Sequence, residues 1–256
     1  MSQTMPAVFV GHGSPMNALP GSRYAEGWRE RGARLPRPKA ILAVSAHWET
    51  DGVAVTGQGQ PPTIHDFRGF PQALFDIRYP APGAPWLADR VSELLAPTPV
   101  RADHDWGFDH GAWSVLTHIY PDADIPVGQL SLARGLSPAD HIALAKRLRP
   151  LRDEGVLILG SGDIVHNLRA LRPGPPHDWA VRFETRIKAA LASGDLEAAS
   201  AIEADEDARL SVPDHEHYFP LLYVAAQRGP DERLTFFNEG IDMGAISMTS
   251  FVVGEG

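Results

Sequence analysis

The chain has 256 residues, of which 43% are hydrophobic and 21% charged, with no cysteine and a formal net charge of −9. That length suits one large α/β domain, and the absence of thiols excludes disulfides, thiolate zinc sites and cysteine nucleophiles, so any metal must be held by His, Asp or Glu. The acidic balance argues against a nucleic-acid or anionic-membrane partner, which would need clustered Lys and Arg, and leaves a small molecule as the expected one.

Ala7-Val8-Phe9-Val10 is a short apolar run stopped by Gly11-His12-Gly13-Ser14-Pro15, the pattern by which an α/β fold presents a side chain at the carboxyl end of a strand. A charged helix over 24–34 and strands over 40–48 and 53–56 follow. Residues 1–48 therefore read as β-α-β, which predicts a parallel pair. The Gly- and Pro-rich stretch 58–83 predicts a long connection of the kind that serves as a lid, with Phe67, Phe70, Phe75 and Tyr79 as pocket walls. Pro85 with Leu87, Val91, Leu94 and Leu95 predicts a helix over 84–96. Residues 101–114 hold His104, His110, three Asp and two Trp without periodicity and read as an active-site loop running into a helix over 114–120. A strand over 127–132 precedes Ser137-Pro138-Ala139-Asp140, which caps a helix through Leu148.

The strand 156–159 then reaches Gly160-Ser161-Gly162, read as a glycine turn, followed by a helix start carrying His166. Trp179, Phe183, Ile187 and Leu191 repeat every four residues and predict a long amphipathic helix, with a shorter one over 196–201. An apolar helical run starts at Leu221, Pro220 being tolerable in its first turn. Strands over 234–237 and 246–253 close the chain. No apolar run approaches the ~20 residues of a membrane span, and the N-terminus shows no charged region leading into an apolar one. The expected compartment is the cytoplasm.

Three predicted strands thus lead to histidines: His12, His47 and His166. Imidazole suits Fe, Zn, Cu and Ni, and a desolvated imidazole without a partner is costly, so these three and His217 compose a metal site drawn from four segments. No local His-x-x-x-His spacing supports it, and each histidine taken singly is more readily structural. Gly160-Ser161-Gly162 lacks the third glycine of a dinucleotide fingerprint, and Ser14 lies in no Gly-x-Ser-x-Gly elbow. Nucleotide binding and serine hydrolysis are set aside on those grounds.

Gly11-His12-Gly13-Ser14-Pro15-Met16-Asn17-Ala18-Leu19, Ser45-Ala46-His47-Trp48-Glu49-Thr50, Asp109-His110-Gly111-Ala112-Trp113-Ser114, Gly160-Ser161-Gly162 with His166-Asn167-Leu168, and His217-Tyr218-Phe219-Pro220-Leu221-Leu222-Tyr223 together resemble the DODA-type class III extradiol ring-cleavage dioxygenases, the 4,5-DOPA dioxygenase extradiol-like family. The resemblance implies a single α/β catalytic domain over 1–256 with a central, mostly parallel or mixed sheet flanked by helices. It also implies a mononuclear non-haem metal and the opening of a catechol ring by O2. By the same similarity His12, His47 and His217 are metal ligands, His166 is an acid/base or a fourth ligand, and His110 is a catalytic residue on the substrate side. The wider class III pattern has a glutamate where His217 stands; Asp214 and Glu216 offer carboxylates off that position. Three neutral imidazoles would leave a divalent ion its full charge, which matches a catecholate dianion. Fe(II) is therefore the expected cofactor, since Zn(II) fits the same imidazoles but cannot perform a redox step. The residues leave open a zinc-dependent hydrolase or a non-catalytic zinc-binding protein, the identity of the catechol, and the choice between monomer and homodimer.

Overall fold

Apolar runs without polar alternation make strands that are buried on both faces, and the computed structural model has them as the middle of one sheet. It describes residues 4–254, so the first three and last two residues of the expected 1–256 domain lie outside the described residues. The strands are β1 (Ala7–Gly11), β2 (Ala40–Thr50), β3 (Val53–Thr56), β4 (Val100–Asp103), β5 (Val127–Ala133), β6 (Val156–Gly162), β7 (Leu234–Phe237), β8 (Ile241–Asp242), β9 (Ile246–Ser247) and β10 (Ser250–Val253). Eight of them form a sheet in the order β4-β3-β5-β2-β6-β1-β10-β7, and β8 pairs with β9. The central pairs β5-β2, β2-β6 and β6-β1 are parallel, whereas β10 joins β1 and β7 in antiparallel fashion and β3 meets β5 the same way. The sheet is thus mixed. β1 and β2 run parallel, as the β-α-β reading requires, with β6 inserted between them.

The helices are α1 (Arg23–Gly32), α2 (Gln72–Phe75), α3 (Pro85–Leu95), α4 (His110–Ile119), α5 (Pro138–Arg147), α6 (Pro150–Asp153), α7 (Asp178–Ser193), α8 (Leu196–Ser200), α9 (Glu206–Ser211) and α10 (Phe219–Ala225). Successive strand residues point to opposite faces, and the two layers divide accordingly. Val8, Val10, Ile41, Ala43, Leu157 and Leu159 pack with α1 and α4, while Ala7, Phe9, Leu42, Val44, Val156 and Ile158 pack with α3, α5, α7 and α10. Fully burying each Val, Leu, Ile or Phe side chain among them stabilises the fold by about 1.5–3 kcal/mol. The carboxyl ends of the parallel strands β1, β2 and β6 lie on one edge, with α4 packed on β2 and β6 from one layer and α10 on β1, β2 and β6 from the other.

Four local expectations are corrected. Gly160-Ser161-Gly162 is the end of β6, paired with Phe9–Gly11, and not a turn. A Cβ on Gly162 would lie 2.1 Å from the carbonyl oxygen of His217, so the glycine permits a close approach of another segment. His166 is not on a helix start: it makes an isolated bridge to Ile246, its N–H donates to Ser211 O at 2.9 Å, and helical geometry there is confined to one short turn at Leu168–Ala170. Within 101–114, residues up to Asp103 continue β4 and the helix begins at His110, earlier than expected, because Asp109 caps it by accepting from Ala112 N. The expected strand 246–253 is broken into β9 and β10, which belong to different sheets.

Candidate metal centre

His12 follows β1 directly, and its N–H donates to Gly162 O at 3.0 Å. The next residue, Gly13, has φ +58°, which turns its N–H onto Asp163 Oδ1 at 3.0 Å; other residues rarely adopt that conformation. His47 lies in β2 where the register with β5 shifts between Val44 and Glu49, an irregularity of the sort that re-aims side chains beside sites. His217 precedes α10, and its carbonyl accepts from Asp163 N at 2.8 Å. Backbone bonds thus tie the ends of β1 and β6 and the segment before α10 into one frame.

The rings gather on that frame. His12 Nε2 and His47 Nε2 are 3.1 Å apart, and the His217 ring centroid is 5.4 Å from that of His12 and 4.9 Å from that of His47. His110, the first residue of α4, stands 3.9 Å from His47 and 5.8 Å from His12 by ring centroids. His166 stacks on His217 at 3.5 Å with planes 7° apart. His215 faces away, with Nε2 3.4 Å from Glu203 Oε1 and its side chain 37% exposed. All five histidines expected at the centre therefore meet there, while His215 does not.

Hydrogen bonds orient the rings. Ser161 Oγ donates its single proton to Gly111 O at 2.6 Å, so its 3.0 Å contact with His12 Nδ1 has the ring donating. His12 Nε2 is left as a lone pair facing the centre. Asp66 accepts from both Nδ1 and the backbone N–H of His110, each at 2.9 Å, and lies 3.6 Å from His47 Nδ1. Glu216 Oε1 contacts His217 Nδ1 at 3.1 Å. Asp109, buried at the cap of α4, accepts from Ser45 Oγ at 2.7 Å and from Gln129. Ser45 Oγ in turn accepts from His47 N at 3.2 Å, joining α4 to β2 beside the site.

Burial strips water from these rings and neighbouring imidazoles disfavour a second charge. His12 and His217 are held well below the usual imidazole range, by burial first and then by the other histidines. His47 is pushed down to about 3, by burial and then by His110, with Asp66 opposing. His166 is pushed down to about 4 by burial, with Asp214 opposing. Burial also raises the Asp109 carboxyl to about 6. Neutral rings at pH 7 are the form that binds metal.

One carboxylate at the centre comes from neither Asp214 nor Glu216. Asp163, 1% exposed, places Oδ2 at 3.7 Å from His12 Nε2, and that oxygen makes no hydrogen bond. Burial raises its pKa well above the carboxylate range, against the Gly13 N–H. His12, Asp163 and His217 offer ligand atoms all within 4.8 Å of one another, as do His12, His47 and His110. Imidazole nitrogens with a carboxylate oxygen suit a divalent first-row ion, so the residues fit the expected metal.

On the other side, Phe67 sets its edge against His110 at 5.5 Å and 87°, with Phe70 and Phe75 beside it. Tyr79, expected in the same wall, is instead a core residue whose hydroxyl donates to Tyr120 O at 3.0 Å. A cleft of about 940 Å³ lined by Glu49, Arg134, Glu203, Asp214 and Glu216 adjoins the centre through Glu216. Sequence reasoning missed Asp66, Asp109 and Asp163. Asp109 stood in the motif block with His110, and Asp163 one residue beyond a strand end; Asp66 lies in a long loop with nothing to distinguish it.

A parallel-centred α/β sheet with histidines and a carboxylate gathered at one edge has the donor set of a metal site. Residues 6–243 match the family model of the catalytic LigB subunit of aromatic ring-opening dioxygenase. The chain belongs to this family, and within it to the DODA-type class III extradiol dioxygenases, which are ring-cleaving oxidoreductases. It is 50% identical to the 4,5-DOPA dioxygenase extradiol of Escherichia coli (strain K12), covering 99% of this chain and 97% of that one. It is 39% identical to the protein of the same name from Beta vulgaris, over 95% of this chain and 94% of the relative. A crystal structure of an uncharacterized protein from Escherichia coli K12 is similar with a TM-score of 0.86 at 45% identity, covering 98% of this chain and all of that one. Among the described residues no helix is long and apolar enough to cross a membrane.

Proposed function

We propose that this chain is an Fe(II)-dependent extradiol dioxygenase that opens the ring of a DOPA-like catechol with O2, the whole chain serving as one catalytic domain. The observation that carries this reading is the anchoring of His12 Nδ1 by Ser161, which directs Nε2 toward His47 Nε2 at 3.1 Å. His12, His47 and His217 would hold the ion. When bound, iron(II) supplies the redox link between ring and O2, which zinc could not.

The other residues position the substrate and move its protons. His166, largely neutral at pH 7 and lying against His217, would take a catechol hydroxyl proton at a ring nitrogen and return it as the ring opens. His110, held at Nδ1 by Asp66, presents Nε2 to the substrate side, and Phe67 shields that side from water. The acidic side chains Glu49, Glu203, Asp214 and Glu216 in the adjoining cleft, with Arg134 among them, favour a catechol that carries an ammonium group with a carboxylate. The names of the relatives agree with that substrate class.

The test is purification without oxygen, loading with Fe(II), and a panel of catechols with and without an amino-acid side chain, followed by O2 uptake and the absorbance of the yellow ring-opened product. One O2 consumed per ring opened, with preference for the amino-acid catechol, is expected. Tightly held zinc with no turnover after iron exchange would overturn the reading in favour of a zinc protein.

A further inference from the structure

Among the described residues, the side chain least accounted for by the ring-opening reading is Asp163. It sits one residue beyond the carboxyl end of β6, between two segments that carry histidines: its backbone N–H donates to His217 O at 2.8 Å, and its Oδ1 accepts from Gly13 N, next to His12, at 3.0 Å. The first holds the backbone and the second engages one carboxyl oxygen. They also leave Oδ2 as a fully buried oxygen with no hydrogen bond, 3.7 Å from His12 Nε2, and one oxygen of the same carboxyl lies within 4.8 Å of a ring nitrogen of His217. A carboxylate oxygen buried without a donor or a cation is a costly arrangement. A simple capping role would be served as well by asparagine, which can accept the same Gly13 bond without placing a charge in the interior.

We propose that Asp163 Oδ2 is a protein ligand of the metal ion, completing the centre with the histidines. This rests on the metal-centre reading above and changes its charge. A bound carboxylate makes a divalent site one unit less positive than three neutral imidazoles would, and imidazoles with one carboxylate are a familiar donor set for non-haem Fe(II) oxygenases. The carboxylate is neither of the two that flank the His217 position in the sequence, and Glu216 is engaged with His217 Nδ1. The 3.7 Å separation is what two ligand atoms at about 2.0–2.2 Å from one ion would span when their angle at the metal exceeds a right angle.

The experiment compares Asp163→Asn and Asp163→Ala with the wild type in the full-length protein, reading Fe(II) and Zn(II) affinity by chelator competition and the Tm of the metal-free forms. Asp163→Asn keeps the Gly13 acceptor and the volume, so its metal-free form should fold with a Tm at or above that of the wild type. Its affinity for both ions should fall by about tenfold or more, since even residues that only orient a ligand account for 10–100-fold. Asp163→Ala should lose at least as much affinity. Wild-type affinity in Asp163→Asn would overturn the proposal, and so would a loss confined to Asp163→Ala, because either shows that the carboxyl serves only to hold Gly13. If the wild type itself takes up no metal, or keeps it in His12→Ala, the metal-centre reading fails first. A wild type that binds iron and turns over catechol beside an unaffected Asp163→Asn sinks this inference alone.

Discussion

The imidazole of His166 lies flat on that of His217, with centroids 3.5 Å apart and planes inclined by only 7°. An imidazole directs its lone pair in its own plane, so two stacked, parallel rings cannot both aim a nitrogen at one ion. If His217 is the ligand, His166 stands over it as a neighbour whose nitrogens stay available for protons. His166→Gln should therefore keep its metal and lose about 10²–10⁴-fold in ring opening, the usual contribution of a placed acid/base. Its pH–rate profile should lose one limb. His217→Ala should lose the metal, and His215→Ala, which alters a residue turned toward Glu203, should keep both metal and activity. A His166→Gln protein that binds iron poorly but turns over normally in excess iron would make His166 a ligand instead.

Ser161 provides a sharper test of the His12 tautomer. Its hydroxyl proton is committed to Gly111 O and its lone pair to His12 Nδ1. Ser161→Ala would release the ring to the other tautomer or orientation. The expected result is a loss of about 10–100-fold in metal affinity with a small change in Tm, whereas His12→Ala should abolish stoichiometric binding. Unchanged affinity in Ser161→Ala would show that the hydrogen bond does not set the ring.

His110 is clamped by Asp66 at two points and flanked by Phe67. His110→Ala should retain metal and reduce kcat/KM by about 10²-fold or more, on the scale of a positioned proton-transfer or hydrogen-bonding group. Phe67→Ala should act mainly on KM. Metal analysis with steady-state kinetics on both variants separates the roles, and loss of metal in His110→Ala would move that residue into the ligand set.

The buried rings also dictate a pH dependence. His47 and His166 fall to about 3 and about 4 in the folded protein from an ordinary 6.5, so between those values the unfolded chain binds more protons than the folded one. Stability of the metal-free protein should then rise with pH across that window and be complete above pH 6.5. His12 and His217 act in the same direction. Asp163, raised by burial, has the opposite sign: its contribution favours folding at low pH and is lost as pH rises through its folded value. The Asp109 carboxyl, raised to about 6, and Glu216, also raised by burial, act with Asp163. The four rings outnumber these three carboxyls, so the Tm should drop by several degrees between pH 7 and 4.5, at roughly 2–4 °C per kcal/mol for a chain of this size. Asp163→Asn, which removes one opposing group, should steepen the drop. Thermal unfolding of metal-free protein at three pH values tests both, and a flat wild-type profile would mean that the rings are not excluded from water.

The sequence alone determined a good deal here. Runs such as Ile41-Leu42-Ala43-Val44 and Val156-Leu157-Ile158-Leu159 carry their burial in their composition, so the α/β class and the placing of His12 and His47 at or near strand ends were legible without coordinates. The motif blocks likewise pointed to His110, His166 and His217. What only the tertiary structure decided is which groups surround those rings. Asp66 reaches His110 across 44 residues of chain and Ser161 reaches His12 across 149, and no local pattern encodes such pairs. Gly160-Ser161-Gly162 looked like a turn because glycine usually supplies turn geometry; in the fold Gly162 is a strand residue whose missing Cβ lets His217 O come close. Asp163 became visible for the same reason. Its meaning lies in an unbonded oxygen beside His12 Nε2, a relationship set by the packing of β1, β6 and the segment before α10 and absent from any one of them.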